Sequence, residues 1–198
     1  MQQTKKITDD SLVSDYLSGK CRAFDELLAR HKSRLFSYIL FMVKDENTAN
    51  DLFQETFVKV ITYLNEGRYK PNGKFYSWMT CIAHNVVVDY YRMYKESKLC
   101  MPSDDAAISN TIRWSVEIVS HEEELVCQQV LADVRRLMDF LPVQQKEIVY
   151  MKYYQDLTFR EIAEILDISI NTALGRMRYA LINMRKLAKK HKVTLNVG

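Results

Sequence analysis

The chain has 198 residues, of which 47% are hydrophobic and 27% are charged, and its formal net charge is +3. These values are ordinary for a folded protein of one or two domains. Only five Gly and three Pro are present, which favours long helices over a turn-rich β fold. No apolar run reaches about 18 residues, which predicts no membrane span. The start also lacks the apolar core of a signal peptide, so we expect a cytoplasmic protein.

Catalytic and metal-binding motifs are absent from the sequence. The cysteines and histidines are scattered, at Cys21, Cys81, Cys100, Cys127, His31, His84, His121 and His191. Without CxxC spacing, free thiols are expected rather than a disulfide framework or a zinc site. The HExxH, GxGxxG, P-loop and GxSxG motifs are also lacking. We therefore predict no metal, no cofactor and no enzymatic activity.

Helical periodicity dominates the N-terminal half. Four helices are predicted there, at about residues 8–17, 21–43, 46–64 and 75–95. The segment between the last two, NEGRYKPNGK at 65–74, is predicted to be a loop because it contains Gly, Pro and Asn.

The third predicted helix has a buried stripe and an outward face that mixes acidic and apolar residues. The stripe consists of Phe53, Phe57, Val60, Ile61 and Leu64. Asp51 and Glu55 point away from this stripe, one turn apart. Leu52 and Val58 are predicted to lie on the same outward side. Carboxylates beside exposed apolar side chains indicate a basic protein partner, and an ordinary solvated face is the alternative.

The fourth predicted helix carries a line of side chains suited to unpaired bases. Its core stripe is Phe75, Met79, Ile82, Val86, Tyr90 and Met93. On another face, Trp78, Asn85 and Arg92 recur every seven residues. An aromatic ring, an amide and a guanidinium in one line can stack on bases and hydrogen-bond to them. The alternative is that Trp78 belongs to the core.

The middle of the chain changes character. Residues 96–120 have mixed polarity and no sustained period, which predicts a linker, although Trp114 is a large aromatic residue for a free linker. Beyond it, helices are predicted at about 121–140, 142–154, 158–166 and 169–191. The predicted fold class is all-α, with one helical domain at 1–95 and a second at 121–198.

The last two predicted helices form a candidate helix-turn-helix. Thr158 and Glu161 have the spacing of a capping box at the start of the first helix. Its buried face is predicted to be Ile162, Ala163, Ile165 and Leu166. Asp167 tolerates the positive φ that the turn needs, and Ser169 or Asn171 can cap the second helix.

The second helix of this pair is predicted to have one apolar side and one basic side. The apolar side consists of Ala173, Met177, Ala180, Leu181, Met184, Leu187 and Ala188. The opposite side carries Gly175, Arg178, Tyr179, Arg185, Lys186, Lys189 and Lys190. Basic residues on the exposed face of such a helix suit docking in the major groove of DNA. A coiled coil or a solvated helix explains the periodicity equally well, but not the cap, the small Ala163 and the turn together.

The order of these features resembles a known family. FDELLARHKSRLFSYILFMVKDENTANDLFQETFVKV resembles regions 2.1 and 2.2 of the sigma-70 family of bacterial RNA polymerase sigma factors. FYSWMTCIAHNVVVDYYR resembles regions 2.3 and 2.4, and LMDFLPVQQKEIVYMKYYQDLTFREIAEILDISINTALGRMRYAL resembles region 4. The short linker and the lack of region 1.1 and of a full region 3 resemble the compact extracytoplasmic-function (ECF) group.

The resemblance implies two contacts for the first domain. The β′ clamp helices of core RNA polymerase would bind the face around Asp51, Leu52, Gln54 and Glu55. The loop 65–74 and the following helix would capture a base of the −10 element that has flipped out of the duplex. The residues implied in −10 binding are Lys74, Trp78, Asn85, Arg92 and Lys95, with Asn85 in the base pocket.

The resemblance also implies that the second domain reads the −35 element as duplex while its other surface meets the β flap. The residues implied in −35 binding are Asn171, Thr172, Gly175, Arg176, Arg178 and Tyr179. The family often has basic residues where this chain has Leu174 and Tyr179, which changes the expected −35 sequence and not the mode of binding. Ile182 is an apolar exception on the basic side. The chain is expected to be a monomer that an anti-sigma factor controls.

Two rival functions remain open at this point. A stand-alone helix-turn-helix regulator would bind specific duplex DNA tightly without polymerase. A scaffold or anti-sigma-like protein would bind polymerase and no DNA, so that charge reversal at Arg176 or Arg178 would have no effect.

Overall fold

The computed structural model describes residues 7–99 and 136–190, with side chains described up to residue 95 in the first range. The N-terminal helices are α1 (Asp9–Leu17), α2 (Cys21–Val43), α3 (Glu46–Asn65) and α4 (Phe75–Leu99). The C-terminal helices are α5 (Val143–Tyr153), α6 (Phe159–Ile165) and α7 (Ile170–Lys190). No strand occurs in the part of the chain that the structure describes, and the predicted all-α class is confirmed.

Polar side chains fix where the N-terminal helices begin. The hydroxyl of Thr8 accepts a hydrogen bond from the Ser11 N–H at 3.3 Å and caps α1. A carboxylate oxygen of Asp45 accepts from the Thr48 N–H at 2.7 Å and caps α3. Hydrogen bonds from the Thr48 side chain and from its N–H lower the pKa of Asp45 because they stabilise the ionised carboxylate. Lys44, with φ of 60°, reverses the chain between α2 and α3.

The core of the N-terminal unit forms where α2 contacts α1, α3 and α4. Its largest fully buried side chains are Leu27, Leu35, Tyr38, Ile39, Leu64, Phe75 and Met79. Burial of each large apolar side chain stabilises the fold by about 1.5–3 kcal/mol. These contacts make the four helices a rigid support for the faces that remain exposed.

Two of the predicted apolar stripes differ from the observed ones. On α3, Phe53 and Phe57 are only half-buried; Phe53 packs edge-on against Phe36 of α2, with ring centroids 5.6 Å apart. The buried line of α3 is Ala49, Leu52, Thr56, Val60 and Leu64. Met93, predicted to belong to the core of α4, is 66% exposed. This prediction was wrong because the core contacts of α4 end before residues 91–95, which are all exposed.

The C-terminal unit is built from α5, α6 and α7, each of which contacts the other two. Its buried side chains include Leu137, Met138, Ile148, Met151, Ile162, Ala163, Ala173, Met177 and Ala180. The side-chain amide of Asn183 donates a hydrogen bond to Gln145 Oε1 at 2.9 Å, which links α7 to α5. Small residues on α6 and α7 allow these two helices to approach closely.

The predicted linker falls largely outside the described residues. Helix α4 continues to Leu99, four residues beyond its predicted end, and Trp114 lies outside the described part of the chain. Of the helix predicted at 121–140, residues 136–140 are described; 136–139 are helical and 140 is in a turn. The chain divides into two compact units, 1–112 and 113–198, and the boundary between them falls within the predicted linker.

Candidate polymerase and nucleic-acid interfaces

The helix-turn-helix has the predicted cap and turn. The Thr158 N–H donates a hydrogen bond to Glu161 Oε2 at 2.9 Å, and the Glu161 N–H donates to Thr158 Oγ1 at 3.3 Å. These two bonds form the capping box at the start of α6. Asp167 has φ of 50°, so the turn is left-handed at a residue type that tolerates this conformation. The Ile168 N–H then closes the turn onto the Ala163 carbonyl at 3.0 Å.

Ser169 is the residue that caps α7. Its Oγ accepts a hydrogen bond from the Thr172 N–H at 3.0 Å and lies 2.8 Å from Thr172 Oγ1. Asn171, the other candidate for the cap, is exposed in the first turn of the helix. The first turn of α7 therefore presents Asn171 to solvent while Ser169 fixes the start of the helix.

Helix α7 has the two sides that the sequence predicted. Ala173, Met177 and Ala180 are buried. Arg178 is exposed, and Tyr179 is 63% exposed. The exposed cations that follow are Arg185, Lys186, Lys189 and Lys190. Because one side packs on α5 and α6, the other side is free to enter a groove of DNA.

Gly175 and Arg176, which were predicted to bind the −35 element, lie within the first two turns of α7. A Cβ atom added at Gly175 would meet no heavy atom within 4 Å, so packing within the chain does not require a glycine there. Glycine inside a helix costs about 1 kcal/mol relative to alanine. Arg176 is half-buried beside Met177 and is less accessible than Arg178.

An apolar groove of about 430 Å³ lies along α7. It is lined by Leu174, Met177, Arg178, Leu181, Ile182 and Arg185. Ile182, the apolar exception in the sequence, is half-buried in this groove. Ile182 is therefore part of an apolar groove lining, next to Leu181, and is not an isolated apolar side chain on the basic side.

The outward face of α3 keeps three of its four predicted residues. Asp51, Gln54 and Glu55 are exposed. Glu55 Oε1 lies 2.8 Å from Lys59 Nζ, and this hydrogen bond raises the pKa of Lys59. The prediction for Leu52 was wrong, because α3 contacts both α2 and α4 and the wide contact leaves Leu52 only 6% exposed.

Val58 is the exposed apolar side chain on this face. Leu52 was also predicted to be exposed there, but it is buried. The Val58 side chain is 63% exposed, one turn from Gln54 and next to Lys59 on α3. The exposed face of α3 thus consists of carboxylates, an amide and one apolar side chain, which suits a partially basic protein surface.

Trp78 lies at the edge of the core and not fully within it. The side chain is half-buried. Its ring centroid is 5.0 Å from that of Tyr69 and 5.8 Å from that of Phe75. The alternative that Trp78 belongs to the core is partly confirmed, since packing fixes the indole while part of it stays exposed next to the loop before α4. Contact of Trp78 with a base stays a prediction.

Asn85, Arg92 and Lys95 are all exposed on α4. Trp78, Asn85 and Arg92 span 14 residues, so the predicted line of side chains is about 21 Å long at 1.5 Å per residue. Arg92 forms an ion pair with Asp89 at 3.1 Å, and a phosphate would have to compete with this carboxylate for Arg92. Lys74, just before α4, is half-buried.

The loop before α4 is tied to α1 by a residue that the sequence did not single out. The Tyr69 hydroxyl donates a hydrogen bond to Asp10 Oδ1 at 2.5 Å, and the Gly73 N–H donates to Asp10 Oδ2 at 2.8 Å. Burial and the contact with Asp10 raise the pKa of Tyr69. These contacts span 59 and 63 residues, so no local pattern could have revealed them.

Neither a metal site nor a membrane span is found within residues 7–99 and 136–190. In these ranges, no group of three or more His, Cys, Asp or Glu side chains is arranged to hold a metal ion. No helix within them is both long and apolar enough to cross a membrane.

A capped helix-turn-helix with a basic outer side, joined to a separate helical unit, defines a DNA-binding transcription protein. The sigma-70 region 2 family matches residues 27–96, and the sigma-70 region 4 family matches residues 131–178. The chain belongs to the sigma-70 family of RNA polymerase sigma factors, in its ECF group.

Curated relatives cover most of the chain at low identity. The RNA polymerase sigma-H factor of Pseudomonas aeruginosa is 24% identical over 171 residues, which are 85% of this chain and 88% of the relative. The ECF RNA polymerase sigma factor SigM of Bacillus subtilis is 26% identical over 145 residues, or 73% of this chain and 82% of the relative.

Two solved structures share the fold. The sigma factor RpoE from Bartonella quintana, solved in complex with the anti-sigma factor NepR, has a TM-score of 0.66 and 19% identity, covering 84% of this chain and 96% of that chain. CnrH, solved in complex with the cytosolic domain of CnrY, has a TM-score of 0.63 and 23% identity, covering 92% and 97%.

Proposed function

We propose that this chain is an alternative sigma factor that grips a promoter at two points. In this proposal, the domain at 1–95 binds core RNA polymerase and opens the −10 element, and the domain at 121–198 reads the −35 element as duplex. The segment 96–120 joins them as a linker. The chain acts in the cytoplasm, as a monomer and without enzymatic activity of its own.

The helix-turn-helix is the observation that carries the proposal. Its capping box, left-handed turn and buried stripe fix α7 so that Asn171, Arg178 and Tyr179 all face solvent. Arginine in the major groove can bind guanine with two hydrogen bonds. Tyr179 and Thr172 can add contacts to base edges or phosphates. We infer that Arg178 and Asn171 contact bases, whereas the half-buried Arg176 contacts a phosphate.

The outward face of α3 is the proposed contact with the β′ clamp helices. Asp51, Gln54 and Glu55 supply charge and hydrogen-bonding groups, and Val58 supplies an exposed apolar contact. Leu52 supports this face from within the core. Exposed carboxylates around an apolar residue favour a partner of the opposite charge and speed its association.

The loop 65–74 and α4 are the proposed site for a base of the −10 element. Trp78 is held by Tyr69 and Phe75 at the base of the loop, and Asn85 is exposed two turns further along α4. Extruding a base costs a few kcal/mol, which stacking and edge hydrogen bonds offset. Lys74, Arg92 and Lys95 bind phosphates on either side of the base.

Two further partners are part of the proposal. A surface of the C-terminal domain away from DNA meets the β flap of the polymerase. An anti-sigma factor controls the chain, because both solved relatives described above were captured with an anti-sigma factor or with a cytosolic protein domain. A protein of this kind is expected to compete with core polymerase for the purified chain in a binding assay.

Reconstituted transcription tests this function. Core RNA polymerase from the same source is incubated with genomic fragments, with and without the purified chain, and the transcripts are sequenced. The proposal predicts start sites that appear only with the chain and share a −35 and a −10 sequence. Specific binding of the chain to duplex DNA without new start sites would favour a stand-alone regulator instead.

A further inference from the structure

The carboxylate of Asp10 ties both ends of an exposed loop segment to α1. Oδ1 accepts a hydrogen bond from the Tyr69 hydroxyl at 2.5 Å, and Oδ2 accepts from the Gly73 N–H at 2.8 Å. The residues between these two points, 70–72, are all exposed. One side chain on α1 therefore fixes the two ends of the segment that precedes α4.

Other local contacts define the shape of this segment. The Tyr69 ring is 8% exposed and packs edge-on against Phe75, with centroids 5.3 Å apart. Gly73 has φ of +74°, a conformation that side chains rarely adopt. Asn72 Oδ1 accepts a hydrogen bond from the Lys74 N–H at 3.1 Å. The segment is thus held in a single turn, with its middle presented to solvent.

The position of Asp10 is itself fixed by α2. The neighbouring carboxylate of Asp9 lies 3.0 Å from Arg30 Nη1 and 2.8 Å from His31 Nε2. Arg30 Nη1 also donates a hydrogen bond to the Ile7 carbonyl at 2.7 Å. The His31 ring stacks on Tyr76 of α4, with centroids 5.4 Å apart. The two consecutive aspartates therefore have separate tasks, since Asp9 fixes α1 on α2 and Asp10 fixes the loop on α1.

We propose that Asp10 is a positioning residue for capture of the −10 base, because it holds residues 70–72 in the conformation that receives the extruded nucleotide. This inference rests on the proposed role of the loop and α4 in −10 binding. A loop that is ordered in advance does not lose conformational entropy when the base enters. If the loop were free, only the fraction of molecules in the competent conformation would bind, and the apparent affinity would fall by that fraction.

The variant Asp10→Asn separates positioning from folding. The asparagine side chain has the same shape but only one oxygen. If that oxygen accepts from the Tyr69 hydroxyl, the Gly73 N–H loses its acceptor; if the amide is turned, the Gly73 N–H keeps a neutral acceptor in place of a charged one. Asp15→Asn is the matched control, because it makes the same charge change on the same helix. Asp15 pairs with Lys20 at 2.8 Å and does not hold the loop.

Two readouts are compared in the full chain. In the free protein, hydrogen exchange at the Gly73 amide is expected to be about tenfold faster in Asp10→Asn than in Asp15→Asn, because a hydrogen bond to a charged acceptor is lost. In the holoenzyme, permanganate reactivity of −10 thymines on a promoter fragment is expected to fall about tenfold in the same variant. Binding to core polymerase is expected to be unchanged in both variants.

The outcomes separate this inference from the function on which it rests. Asn85→Ala is measured on the same promoter fragment. If Asn85→Ala reduces opening and Asp10→Asn does not, the positioning role of Asp10 is wrong and the −10 site stands. If neither variant reduces opening, the −10 assignment itself is wrong. Equal exchange at Gly73 in the two aspartate variants would also overturn the role of Asp10.

Discussion

Helix α7 of the C-terminal unit, the proposed DNA-reading helix, and α3 of the N-terminal unit, the proposed polymerase-binding helix, differ in how much of their surface they bury. Helix α7 buries Ala173, Met177 and Ala180, and its cations other than Arg176 remain exposed. Helix α3 contacts both α2 and α4, and its buried line includes Leu52 and Thr56. A helix with narrow contacts leaves most of its side chains available to a partner. A helix with wide contacts offers only a limited strip.

This difference has a consequence for the two proposed interfaces. On α7, DNA can meet side chains from several turns, so the interface can distribute its contacts over base edges and phosphates. On α3, the partner meets Asp51, Gln54, Glu55 and Val58 within about two turns. We therefore expect substitutions on α3 to have larger effects than single substitutions on α7.

Charge reversal on α3 is the largest expected effect. In Asp51→Arg with Glu55→Arg, two attractive contacts with the clamp helices become repulsive, and affinity for core polymerase is expected to fall more than about 100-fold. Gel filtration with a labelled chain measures the loss. Asp25→Arg with Glu66→Arg is the control, because both residues are exposed elsewhere in the unit. Unchanged affinity in the α3 variant would overturn the docking face.

Arg178→Ala tests whether a single side chain of α7 contacts a base of the −35 element. Loss of a bidentate contact to a base is expected to weaken binding to the −35 duplex by about 1–3 kcal/mol and to relax sequence preference at one position. Titration of labelled duplexes with the holoenzyme at fixed salt measures both effects. Arg22→Ala, an exposed arginine on α2, is the control. An equal loss on every sequence would instead identify a phosphate contact.

Asn85→Ala separates opening from duplex binding. Removal of an edge hydrogen bond in the proposed base pocket is expected to reduce promoter opening about tenfold while −35 binding stays the same. The two quantities are measured by permanganate reactivity and by duplex titration. Asn47→Ala, also exposed, is the control. A parallel loss of opening and duplex binding would count against the pocket.

Gly175→Ala is expected to have the smallest effect, and its effects on stability and on −35 binding are expected to have opposite signs. A Cβ atom here meets no heavy atom of the chain within 4 Å, so helix propensity should raise the free energy of unfolding by about 1 kcal/mol. The same Cβ is expected to weaken −35 binding because, in the proposed complex, it faces the DNA. Urea denaturation and duplex titration measure the two changes. Ser33→Ala on α2 is the control for stability without DNA contact, and tighter DNA binding in Gly175→Ala would refute the close approach.

The sequence predicted the C-terminal unit more completely than the N-terminal one. The Thr158–Glu161 cap and the turn at Asp167 follow from local residue chemistry, and both are confirmed. Leu52 was predicted to be exposed but is buried. Periodicity shows which side of a helix is buried, but it does not show how far around the helix the contacts with α2 and α4 extend. Asp10 was missed because its partners lie about 60 residues away along the chain.

A combined footprint of one promoter tests the two-point grip most directly. The purified chain, core polymerase and both together are each incubated with a promoter fragment, which is then probed with a nuclease and with permanganate. The account predicts that −35 protection and reactive −10 thymines appear in the same complex and require both proteins. Protection of the −35 element by the chain alone at equal strength, with no reactive thymines when polymerase is added, would contradict it.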